Sequence, residues 1–110
     1  MSTYNKLAKE IKKYYERELK QYSKNKKMLE TASRNNKINT RTILFLQNRI
    51  ENIETVIKQL NPFEQEVFDM IFNKKYDWLY CKTIKNIDKN TYYNILNKAI
   101  CMLAKEEGEL

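Results

Sequence analysis

From Ile43 to Leu60, apolar residues step 3-4-3-4-3 through Leu46, Ile50, Ile53 and Ile57. That spacing returns every one of them to a single face of an α-helix and scatters them over both faces of a strand, so the segment commits the chain to helical packing. A second stripe precedes it. Leu7, Ile11, Tyr15, Leu19, Tyr22 and Leu29 recur at three and four, once at seven, which predicts one amphipathic helix from about Thr3 to Thr31 with a densely basic opposite face. Thr31 to Thr40, with Ser33, Asn35, Asn36 and Asn39, reads as a loop, and Thr40 or Asn39 is suited to cap the helix that follows. Two such helices joined by a short polar loop form an antiparallel hairpin, each stripe buried on the other. The same strict seam also suits a homodimer interface through residues 43–60. Strand signals are weak and there is a single Gly and a single Pro in 110 residues, so the expected fold class is all-α.

The second half carries helix punctuation. In Asn61-Pro62-Phe63-Glu64, Asn can accept from the first free N–H groups, Pro has no N–H to lose, and Glu64 can close a capping box. Trp78 to Lys85 reads as a short helix stopped at Asn86, a residue that tolerates left-handed backbone angles. A further start follows at Asp88, and then Tyr92, Leu96, Ala99, Ile100 and Leu103 line one face of a last long helix. The opposite face holds Asn90, Asn94, Asn97, Lys98 and Cys101. A short helix, a tight turn and a helix with an amide-rich outer stripe make a helix-turn-helix suited to the DNA major groove. The chain therefore divides into a basic hairpin, residues 1–60, for dimerisation or partner binding, and a helix-turn-helix DNA-binding domain, residues 61–110.

Charge agrees with a polyanionic partner. The net charge is +7, and although the whole surplus lies before residue 61, Asn73 to Lys98 holds six Lys against Asp77 and Asp88. In this reading Asn90, Asn94 and Asn97 pair with adenine N6 and N7 at an A·T-rich site. Lys89 and Lys98 reach phosphates or guanine, Thr91 bonds a phosphate near the helix start, and Tyr93 joins the contacting set. Lys74, Lys75, Lys82 and Lys85 hold the DNA backbone. Tyr76, Trp78 and Tyr80 close the small core, and Ile95, Cys101 and Met102 pack on Phe68, Ile71 and Phe72.

Chemistry of other kinds finds little footing. With no His, no Gly-rich phosphate loop and only three Ser, no nucleophile-base pair is available, so the chain is not expected to be an enzyme or to need a cofactor. Cys81 and Cys101 lie twenty positions apart without further N/S ligands, which speaks against a metal site and for reduced thiols. The polar start at Ser2 to Lys6 is followed by no signal-peptide core, and no apolar run approaches the roughly 20 residues of a membrane span. A cytoplasmic protein of a bacterial host cell, without membrane contact, is expected.

From Leu60 to Glu107 the pattern resembles region 4 of bacterial sigma factors: the capped Leu60-Asn61-Pro62-Phe63-Glu64-Gln65-Glu66 start, the aromatics Tyr76 to Trp78, the Cys81-to-Asp88 series, Thr91-Tyr92 and the Leu96, Ala99, Ile100, Leu103 stripe. With a basic hairpin in front, the chain is similar to small phage-encoded transcriptional regulators of the ArpU and RinA kind. Lys82 stands where that family places a small residue at the helix crossing, Lys85 replaces an apolar residue and Asn86 a common Gly, while outward amides replace Arg and Glu. The resemblance implies a phage or prophage regulator that binds double-stranded promoter DNA and contacts RNA polymerase. Two other readings stand beside it: an oligomeric packaging protein of the small-terminase kind, and a module that binds polymerase without reading DNA.

Overall fold

The structure, a computed structural model, describes residues 7–34 and 39–109, without the Ser33 side chain. Among these residues the chain is all-helical: α1 (Lys9–Lys20), α2 (Tyr22–Arg34), α3 (Thr40–Gln59), α4 (Pro62–Phe68), α5 (Trp78–Lys85) and α6 (Lys89–Glu106), with a π-helical turn (Asp69–Asn73) continuing α4. The first amphipathic stripe is thus carried by two helices rather than one. The helical hydrogen-bond ladder breaks at Gln21, whose N–H is shared between the carbonyls of Arg17 and Glu18. The break has a packing reason, because α1 lies on α6 and the π-helical turn while α2 lies along α3, two directions a straight helix could not serve. Helix α2 also runs past Thr31 to Arg34, shortening the expected loop, and Asn39 caps α3 by accepting from the Arg41 N–H at 2.8 Å. The expected start at Thr3 and the loop residues Asn35 and Asn36 lie outside the described residues.

The seam on α3 is buried within one chain. Leu46, Ile50, Ile53 and Leu60 are buried and Ile43 and Ile57 half-buried, while Val56, which is off the seam, is wholly enclosed. A 3.5-residue repeat drifts by about 20° per heptad around a 3.6-residue helix. Because α3 must meet both α2 and α6, its buried surface slants to take in Val56 and leaves Leu44 and Phe45 open.

Helix α4 begins as its residues dictate. Asn61 Oδ1 accepts from Glu64 N–H at 2.8 Å, Glu64 Oε1 accepts from Asn61 N–H at 3.0 Å, and Pro62 takes the first helical position. The π-helical turn then widens the helix so that three consecutive residues, Met70, Ile71 and Phe72, all face inward. They join Leu19, Ile53, Val67, Phe68, Ala99, Ile100 and Leu103 in one continuous core drawn from both halves of the chain.

Two tyrosines lock this core at polar points. Tyr22 Oη donates to Glu54 Oε2 at 3.0 Å and Tyr92 Oη to the Tyr76 carbonyl at 2.9 Å. Burial, helped by Glu107 at Tyr15 and Glu54 at Tyr22, pushes the phenols of Tyr15, Tyr22 and Tyr92 from 10.0 up to about 12. Folded-state values above the unfolded one mean that the neutral phenols contribute stability fully present below pH 10 and lost as pH rises through 12. The urea midpoint should therefore fall steeply across that interval, with the tyrosinate absorbance of these residues appearing only as the chain unfolds. A flat midpoint would contradict the burial of these hydroxyls.

Candidate nucleic-acid interface

Helices α5 and α6 are set by three local devices. Asp77 Oδ1 accepts from Tyr80 N–H at 2.8 Å and starts α5. Asn86 ends it in the left-handed region (φ 54°, ψ 38°), donating its N–H to the Lys82 carbonyl at 2.9 Å. Asp88 Oδ1 then accepts from Thr91 N–H at 2.7 Å to start α6, and this bond, with one from the Thr91 side chain, holds the Asp88 carboxyl below its ordinary range. All five residues of the expected stripe, Tyr92, Leu96, Ala99, Ile100 and Leu103, are buried, with Ile95 and Ala104 beside them.

Cys81 is the fully enclosed residue of α5, and Lys82 beside it stands exposed. Burial pushes the thiols of both Cys81 and Cys101 up, and the two are unbridged. Tyr76 and Trp78 pack on the core as expected, but Tyr80 is exposed and leans on Tyr76 from outside, ring centroids 4.4 Å apart. Helix α5 also leaves Leu79 and Ile84 open to solvent.

On the outer side of α6, Asn90, Tyr93 and Asn94 are exposed and Asn97 half-buried. Thr91, assigned to a phosphate, is half-buried at the helix start, where its N–H donates to Asp88. Lys98 reaches sideways to Glu64 Oε2 at 2.8 Å, and this hydrogen bond is the leading cause holding the Glu64 carboxyl below its ordinary range. The other lysines sort in the same manner. Lys85 pairs with Glu66 at 2.6 Å and Lys74 with Asp69 at 3.8 Å, so acids of α4 and the π-helical turn face three of the six lysines counted as locally basic. These pairs are solvent-exposed at the lysine end, where such bridges contribute between zero and about 1 kcal/mol and exchange readily for a phosphate.

Lys82 and Lys89 behave differently. Their ammonium groups lie 5.5 and 5.7 Å from the Trp78 ring centroid, so one indole gathers a cation from each helix of the pair. Sequence reasoning gave Trp78 a core role only. The four-residue spacing of Trp78 and Lys82 on one helix was a local signal for half of this arrangement, but nothing local connects Trp78 with Lys89. Among the described residues no group of His, Cys, Asp and Glu is arranged to hold a metal, and no helix is long and apolar enough to cross a membrane.

No family model, curated protein or solved structure matches the chain.

Proposed function

We propose that the chain is a sequence-specific DNA-binding transcriptional regulator, phage or prophage encoded, acting in the cytoplasm of the bacterial host. Its α5-turn-α6 unit is a sigma-region-4-like helix-turn-helix that enters the major groove of an A·T-rich promoter site. The observation that carries this reading is the outer face of α6. Asn90 and Asn94 stand exposed opposite a fully buried stripe, at the N-terminal end of a helix whose entry angle is held by the left-handed Asn86 and the Asp88 cap. A protruding amide is a bidentate partner for adenine, and Lys82 and Lys89, gathered at Trp78, are the cations this reading assigns to the flanking phosphates.

Two measurements test it. If about four or five phosphates are neutralised, log affinity falls with log salt at a slope of about −4 or steeper; a slope near zero removes the DNA reading. With a site selected from random duplexes, Asn94→Ala should lose about 1 to 3 kcal/mol at one base position and relax preference there, whereas Lys74→Ala should weaken all sequences alike. Unchanged binding by both Asn94→Ala and Asn90→Ala would reduce the outer face to solvated surface.

A second reading, a polymerase-binding module without DNA readout, draws on the exposed Leu79, Tyr80 and Ile84 of α5. Polymerase binding that survives loss of DNA binding, and fails in Ile84→Asp, would favour it. The packaging reading joins the helix-turn-helix to an oligomerising hairpin, and ring-sized oligomers in solution would favour it.

A further inference from the structure

We propose that α1 carries a second phosphate-backbone site, a basic concavity in which Lys13, Arg17 and Lys20 face Lys75, so that duplex DNA is gripped beside the groove entered by α6. The duplex reading of α6 supplies the identity of the polyanion; the site itself stands on its own geometry.

The concavity has a volume of about 450 Å³ and is lined by these four cations with Glu16 and Gln21. Glu16 is its one carboxylate and pairs with Lys20 at 3.6 Å, leaving an excess of three positive charges. Lys13, Arg17 and Lys20 share a face of α1 because they are spaced four and three apart, and Lys24 and Lys27 continue that spacing beyond Gln21. Lys75 arrives from elsewhere. The bond from Lys74 N–H to the Asp69 carbonyl closes the π-helical turn, and Lys75 follows in the left-handed region (φ 59°), a conformation that costs a side-chain-bearing residue energy. Strain and mutual repulsion thus coincide at one point, and a bound anion relieves the second.

Two features point to a nucleic-acid backbone. An adjoining cleft of about 190 Å³ shares Lys20 and Lys75 and runs to Tyr76, Asp77 and Tyr92, so the concavity on α1 opens toward the cap of α5 and meets α6 near its N-terminal end, at the inward-facing Tyr92. From Lys13 to Lys20 the helix rises by about 10 Å, the axial length over which one strand of duplex presents about three phosphates. An anionic membrane is the poorer fit. Helices that lie on lipid insert their apolar face into it, and the apolar face of α1, with Tyr15 and Leu19, is enclosed in the protein core.

The test uses the intact chain, a mixed-sequence duplex of about two helical turns, and phosphatidylserine vesicles in parallel. Amide NMR shifts on adding duplex should move residues of α1 near Lys13, Arg17 and Lys75 together with α6. Lys13→Gln combined with Arg17→Gln, both exposed, should weaken duplex binding about tenfold or more and make the salt slope shallower by about two, while Glu16→Gln should tighten binding. Duplex binding that perturbs α6 alone, with the double variant unchanged, overturns this site and leaves the α6 reading standing. Shifts at α1 with none at α6 support the site and remove the α6 reading. Vesicle binding without duplex binding, or no duplex binding at all, overturns both.

Discussion

Ile53→Asp is expected to unfold the chain. Ile53 sits at the centre of the α3 stripe, 1% exposed, with Val56 and Ile50 beside it in the shared core. The one cation a turn away on α3, Arg49, is already held by Glu107 and Glu18, so a carboxylate there is unpaired, and burial of an unpaired charge costs several kcal/mol, a large part of the roughly 5–15 kcal/mol that holds a domain folded. Ile50→Asp should act in the same direction. Leu44→Asp, on the open side of the same helix, should change stability by less than about 0.5 kcal/mol. Urea titration followed by circular dichroism separates these outcomes, and sedimentation of the unaltered chain at micromolar concentration should give a monomer. A dimer that Ile53→Asp dissociates into folded monomers would contradict the burial of this seam within one chain.

The second large effect is expected at Arg49, a residue no sequence pattern singled out. Its guanidinium donates to Glu107 Oε2 at 2.6 Å and to the Tyr14 hydroxyl, approaches Glu18 at 3.7 Å, and lies over the rings of Phe45 and Tyr14. Arg49 thereby ties α1, α3 and the end of α6 together. Burial works to lower its pKa, but the hydrogen bond it donates to Glu107 and the charges of Glu18 and Glu107 outweigh that and hold it above its ordinary value, so it stays charged. Arg49→Met keeps the packed stem and removes the charge, leaving two carboxylates, each about 15% exposed, facing one another. The loss should be about 3 kcal/mol, as for breaking a largely buried pair. A double-mutant cycle with Glu107→Gln should give a coupling above about 1 kcal/mol. Coupling near zero would show that water already screens the pair.

The direction of α1 also bears on the proposed duplex site, because its basic face and the turn bearing Lys75 must keep their relative placement for the concavity to exist. Arg49→Met loosens the carboxyl end of α6 and the middle of α1, so duplex affinity measured on this variant reports the frame as well as the contacts.

The local punctuation of this chain was legible in the sequence, because its causes are local. Asn61, Pro62 and Glu64 build a capping box from four consecutive residues, Asn86 adopts the left-handed angles its short amide side chain tolerates, and Asp88 bonds an amide three residues on. The stripes of α3 and α6 were legible because burial of apolar area follows helical period. What the tertiary structure alone decided depends on which helix meets which. The break at Gln21 arises because one stripe has two partners, and no residue there announces it. The π-helical turn exists because Met70, Ile71 and Phe72 all find room inward. The fate of the lysines was likewise hidden: Lys74, Lys85 and Lys98 face acids of α4 and its π-helical turn, while Lys82 and Lys89 converge on Trp78 and Lys75 meets α1. A count of charges along a chain treats every lysine alike. Only the packing of the helices brings carboxylates to some and leaves others facing one another, and the electrostatic energy depends on those distances rather than on sequence position.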